Sequence, residues 1–204
     1  MSARKLTNFD AEQLRQIKRQ VTGDRPYADR ISLSFAFQLS LAKAKLREDH
    51  FILDVIDDLE GLRPRPRLRK ERQFRHSPLH PFWHVHWSAP RHMLRNIGIH
   101  WNLTGRGDRD PMTTMLQEVA REHGNDLARW PGIVTHRLVF EGYKQRARRG
   151  LTGDWIIYGK REGRHYYLAL ATHEEGNGPD ASQLYRKLRQ GSAAEFPFLF
   201  ERDR

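Results

Sequence analysis

The segment RRGLTGDWIIYGKREGRHYYLALATHEE, residues 148–175, decides the fold class. Trp155–Lys160 and His165–Thr172 are rich in β-branched and aromatic residues, and Arg161–Arg164, with Gly163 inside it, is a tight-turn sequence. The two runs predict a β-hairpin. Working outward, Asp180–Gln190 predicts a helix with Leu184 and Leu188 facing inward, and Phe196–Phe200 predicts a last strand. On the other side, Ile133–Phe140 predicts a strand and KQRARRGLTGD (144–154) a basic loop. Asp110 and Pro111 open a short helix that runs to His123 and stops at Gly124.

The N-terminal half has a different texture. Thr7 or Asn8 caps a first helix, whose Leu14, Ile17 and Val21 share one face before Gly23 ends it. Residues 29–60 alternate apolar and small residues at first. Ser32, Ser34, Ala36 and Ser40 are poor strand formers, however, and Phe51, Ile52, Val55, Ile56 and Leu59 make a helical stripe. The segment therefore reads as mostly helical, ending at Gly61. Pro64 and Pro66 then keep the chain extended. Ser88 caps a further helix from Pro90 to His100. The expected fold is α+β: a helical N-terminal half, a basic linker, and a small C-terminal antiparallel sheet packed with one or two helices. The expected divisions are a helical region over 1–60, a basic arm with a His/Trp-rich segment over 61–109, and a sheet domain over 110–204.

Charge points to the partner. The chain of 204 residues carries +11, yet residues 1–60 balance to zero. Residues 61–109 hold eleven Lys or Arg against two acids. Charge of one sign concentrated in this way raises the local potential and draws phosphates. The expected partner is nucleic acid, RNA before DNA, or else an acidic protein. Its phosphate contacts would be Arg65, Arg67, Arg69, Lys70 and Arg72 in the arm, and Lys144, Arg146 and Arg148 in the basic loop. Trp83 and Trp87, with Trp101 in support, are the candidate stacking residues. No run of about 18 apolar residues and no apolar leader is present, so no membrane association is expected. The absence of cysteine removes thiolate and disulfide chemistry, and a reducing cytoplasm is the expected setting.

Two constellations could carry chemistry. His76, His80, His84 and His86 lie close together, and His84 and His86 share one side of an extended chain. Without Cys, HExxH or a nearby carboxylate the zinc signature is incomplete, so no metal and no cofactor are assigned. Arg75 and His80 match the spacing of the Arg/His pair of HEPN-type ribonucleases, which sits on a helix; Pro78 and Pro81 oppose a helix here.

The second constellation is the opening segment. Arg148, Arg149, Gly153, Asp154, Trp155, Tyr158, Tyr167 and His173, followed by LYRKL at 184–188, resemble the RelE/ParE toxins and the wider barnase–EndoU–colicin–RelE nucleases over residues 111–200. The GNGPDASQ insertion and the long N-terminal half depart from that pattern. The resemblance implies a metal-independent endoribonuclease of toxin type. Such a reaction needs an acid–base group and cations for the developing phosphorane charge. His173 beside Glu174 would supply the first, and Lys160 and Arg149 the second, with His165 and His136 in reserve. Tyr158, Tyr166 and Tyr167 read as sheet residues. The alternative is a non-catalytic nucleic-acid-binding accessory protein of a mobile element.

Overall fold

The computed structural model describes residues 10–63, 71–103, 110–124, 128–149, 153–172, 175–176 and 181–201, without the side chains of 146–149. The fold is α+β. The chain forms two compact units, one from residues 1–87 with 154–204 and one from 88–153. These cut the chain at other places than the three segments expected.

The first unit is built on a four-stranded antiparallel sheet in the order β1 (Arg72–Gln73), β2 (Trp83–Trp87), β3 (Asp154–Arg161), β4 (Arg164–Ala171). The expected hairpin is β3–β4. Its turn residues Glu162 and Gly163 both have positive φ (51° and 72°), the conformation that matches the twist of a two-residue hairpin. β2, in the expected linker, pairs with β3 along its whole length, from Trp83 opposite Tyr158 to Trp87 opposite Asp154. The sheet thus draws on both sides of the expected boundary.

Strand alternation gives the sheet two faces. Trp155, Ile157, Leu168, Ala169 and Ala171 pack with Phe74, Phe82, Leu184, Leu188 and Phe196. The helix α8 (Ala181–Ser192) is as expected, with both leucines buried. The other face carries Tyr158 and Tyr167, and Tyr167 meets Tyr27 edge-on and Phe35 and Tyr158 at a tilt. Here lie α1 (Ala11–Thr22), α2 (Leu33–Leu46) and α3 (Asp49–Leu59). Asp10, and not Thr7 or Asn8, caps α1, accepting from Gln13 N–H at 2.8 Å. The mostly helical stretch over 29–60 is α2 and α3, separated where Arg47 takes a left-handed conformation (φ 51°). Ser32 caps α2 and also donates to Leu168 O, tying the helix start to β4. Burial of each large side chain such as Phe35 or Ile156 contributes about 2 kcal/mol.

The second unit is helical: α4 (Pro90–His100), α5 (Pro111–His123), α6 (Trp130–His136), a π-type turn at Arg137–Glu141, and α7 (Gly142–Arg149). Three expectations are corrected. Ile133–Phe140 is not a strand, because Ile133, Val134, Leu138 and Val139 pack around Ile97, Trp101, Met115 and Val119 at helical spacing. The basic loop from Lys144 is helical as far as Arg149. α4 is entered at Ala89, not Ser88, and His92 Nδ1 accepts from Ala89 N–H at 2.8 Å. In the first unit, Phe196–Phe200 is a 3-10 turn (Pro197–Leu199) and not a strand; Pro197 removes a ladder donor and Phe196 turns into the core.

Candidate nucleic-acid interface

Period-two alternation puts Tyr158 and Lys160 of β3 on one face with His165 and Tyr167 of β4, and Lys160 pairs directly with His165. Two carboxylates from distant sequence arrive on that face. Glu60, just after α3, accepts from Tyr167 Oη at 2.7 Å and from Arg30 Nη1 at 2.9 Å. Glu71, just before β1, accepts from Tyr158 Oη at 2.6 Å and pairs with Lys160 Nζ at 2.6 Å. His165 lies between them, its Nδ1 3.4 Å from Glu60 and its Nε2 3.8 Å from Glu71. Arg30 closes the set by donating to His165 O at 2.7 Å.

The electrostatics follow from this geometry. Burial opposes the ionised form of Glu60, but hydrogen bonds from His165, Arg30 and Tyr167 outweigh it and hold its pKa at about 2. Burial likewise opposes ionised Glu71, and Lys160 and Tyr158 outweigh it, so Glu71 also sits below the ordinary carboxylate range. Burial first, then the neighbouring carboxylates, push both tyrosines well above their usual range. Both stay protonated as donors. Both imidazole nitrogens of His165 face carboxylates, so the ring presents neither to a reacting hydroxyl, which a general base must do. The cluster holds α3 and the turn before α2 against the sheet.

The expected site residues fall into three groups. His173, Glu174, Arg65, Arg67, Arg69 and Lys70, and the side chains of Arg146, Arg148 and Arg149, lie outside the described residues. A second group is placed where its expected role does not fit. Trp87 is 2% exposed and Trp101 6%, so neither ring has a face for a base; both fill cores. Lys160, expected to hold phosphate, has its charge opposed by Glu71 and lies 4.1 Å above the ring of Trp83. Trp83 is half-buried and already carries that cation. The third group is open to solvent. Arg72 lies on β1 and Lys144 on α7, both exposed, and His136 is exposed on α6 near Glu141.

His84 and His86 are brought together, ring centroids 5.8 Å apart, but both lie against Trp155, with His84 stacked on it at 4.2 Å. Among the described residues no three His, Asp or Glu side chains are grouped to hold a metal ion. Among the same residues no helix is long and apolar enough to cross a membrane.

Arg75, His76 and His80, singled out in the sequence for other chemistry, come together on the turn joining β1 to β2. Phe74 N–H donates to Phe82 O, and between them Arg75, His76, Ser77 and His80 stand exposed. Arg75 and His80 are on this turn and not on a helix, as Pro78 and Pro81 required. No described carboxylate pairs with Arg72 or Arg75, whereas Arg63 is held by Asp54 at 3.0 Å. The turn borders a cavity of about 590 Å³ lined also by Tyr185, Leu199, Phe200 and Glu201. Glu60, Glu71 and Arg30 were missed because their contacts span 30 to 135 residues of sequence, from Arg30 with Glu60 to Arg30 with His165.

No family model matches this chain, and neither a curated protein nor a solved structure matches it.

Proposed function

We propose that the protein binds nucleic acid, RNA before DNA, through the basic segment 61–109. One observation carries this: eleven basic residues against two acids in that segment, one of the two acids being Glu71, which Lys160 already opposes. Arg63 of the segment is held by Asp54, whereas Arg72 and Arg75 pair with no described carboxylate and are left for a phosphate backbone. Arg72 and Arg75 are two of its exposed described members, on β1 and the turn after it. The preference for RNA rests on the toxin-like pattern of residues 148–175. The absence of cysteine and of an apolar spanning helix among the described residues supports a cytoplasmic setting.

Binding to single-stranded RNA, measured against salt, tests the reading. Changing Arg72 and Arg75 together to Gln should weaken binding across sequences and flatten the log–log salt slope by roughly one per lost phosphate contact. An unchanged slope and affinity would remove this surface from the reading, and an RNA that never binds would move the partner to an acidic protein. Toxin-type cleavage is checked in the same tubes. Loss of EDTA-resistant cleavage in His173→Ala, with RNA binding kept, would make the protein a ribonuclease. Binding without cleavage in the wild type would leave a binding module.

A further inference from the structure

The cavity beside the β1–β2 turn has a composition of its own. Its inner wall is aromatic. Phe82, 2% exposed, sits 5.2 Å from Phe200 and 6.4 Å from Tyr185, and Tyr185 and Phe200 are again 6.4 Å apart. Phe82 is fixed in the core, while Tyr185 and Phe200 are half-buried and keep part of their rings open. Its rim is polar: Arg75, Ser77 and His80 from the turn, and Glu201 from the end of the chain's last described segment. An aromatic wall with a few convergent polar groups is the usual make-up of a small-molecule site, and about 590 Å³ lies within the usual range for one.

The two chemistries lie side by side. A planar heterocycle gains from stacking on Tyr185 and Phe200, and every base has such a face. An anion gains from Arg75, whose guanidinium grips phosphate oxygens in pairs, and from His80. Glu201 is an acceptor for an exocyclic amine, and Ser77 donates or accepts. A purely apolar ligand would leave Arg75 and Glu201 unused, and a bare phosphate would leave the rings unused. We propose that this cavity binds one nucleotide unit, its base against Tyr185 and Phe200 and its phosphate at Arg75 and His80. Within the nucleic-acid reading, on which this identification of the ligand rests, it is the place where a single-stranded chain inserts one base.

The test is equilibrium binding by the full chain of the four nucleoside 5′-monophosphates, inorganic phosphate and a short single-stranded RNA. Wild type is compared with Tyr185→Leu and Arg75→Gln. Arg75 is exposed, so its variant keeps the fold even where the Tyr185 variant melts early. At least one mononucleotide should bind saturably, and each variant should weaken it about tenfold, the size of one lost stacked ring or one phosphate contact. Inorganic phosphate competing as well as the best mononucleotide would overturn the role of the rings. RNA bound equally by all three proteins, with no mononucleotide bound, would overturn the cavity and leave the nucleic-acid reading standing. Mononucleotide bound with no affinity for RNA would uphold the cavity and remove the wider reading. Neither bound would overturn both.

Discussion

On the sheet face covered by α1–α3, Arg30, Glu60, His165, Glu71 and Lys160 are joined in one run of contacts, with two tyrosine hydroxyls donating into it. On the face covered by α8, Arg75 and His80 stand exposed at the rim of a cavity with an aromatic wall. Both places gather charged groups and rings, and a search for titratable clusters alone would favour the first. What separates them is where the charge finds its counterpart. In the first, each charge is answered by the protein itself, so nothing is left for a ligand; in the second, it is not. Charge density marks both, but only charge without an internal partner marks a binding surface.

The strongest way to break this comparison is to remove Glu60. Its carboxylate holds Arg30, His165 and Tyr167, with side-chain exposure of only 12%. Glu60→Ala leaves the Arg30 guanidinium, the His165 ring and the Tyr167 hydroxyl without this carboxylate. It should cost about 3–5 kcal/mol in urea unfolding, the usual loss when one member of a buried ion pair is deleted. Nucleic-acid affinity per folded molecule should stay unchanged. A stable variant with lost binding would reverse the assignment of the two faces.

Acid probes the same group more gently. The pKa of Glu60 is lowered from 4.5 to about 2 on folding, so the folded state favours its ionised form. The stabilisation is fully present above pH 4.5 and is lost as pH falls toward 2. A shift of that size corresponds to about 3 kcal/mol, and Glu71 adds to it with the same sign. Unfolding free energy measured from pH 6 to 2 should fall steeply for the wild type. In Glu60→Gln, less stable at neutral pH, the fall should be shallower. Equal slopes in the two proteins would mean that Glu60 titrates alike folded and unfolded.

How much of this was legible beforehand depends on the distance over which the deciding contact acts. The β3–β4 hairpin was legible because turn chemistry at Glu162–Gly163 and the alternation on either side are local. So were α8, by its apolar spacing, and α5, where apolar spacing and the Asp110 cap agree. Ile133–Phe140 misled because its β-branched residues fit a strand as well as a helix, and the choice was made by Trp101 and Met115, far along the chain. β2 was hidden for a similar reason: Trp83–Trp87 is short, and it becomes a strand by pairing with β3 some seventy residues later. At the candidate sites, the i, i+2 placement of Tyr158 with Lys160 and of His165 with Tyr167 was readable from the strand period. That Glu60 and Glu71 would come to meet them was not, since nothing local in the sequence fixes where α3 ends against the sheet. The same holds for Tyr185 and Phe200, which meet Arg75 only in the folded unit.

Lys160 gives the smallest effect and the finest discrimination. By sequence it is a phosphate ligand at the head of a basic hairpin. In the fold it pairs with Glu71 and covers the ring of Trp83, with about a third of its side chain exposed. The two readings predict different things for Lys160→Gln. As a structural cation it contributes one partly exposed ion pair and one cation–π contact. After solvent screening, their loss should cost only about 1 kcal/mol of stability. The salt slope of RNA binding should not change, because Glu71 already answers the charge that was removed. Acting as a phosphate ligand, Lys160 would leave stability nearly untouched when replaced and lower the slope by roughly one. Stability and slope are measured independently, and each reading moves only one of them. Glu71→Gln sharpens the contrast. It frees Lys160, so if opposition by Glu71 is what withholds this cation from RNA, the slope should rise in that variant and return to its wild-type value when Lys160→Gln is added.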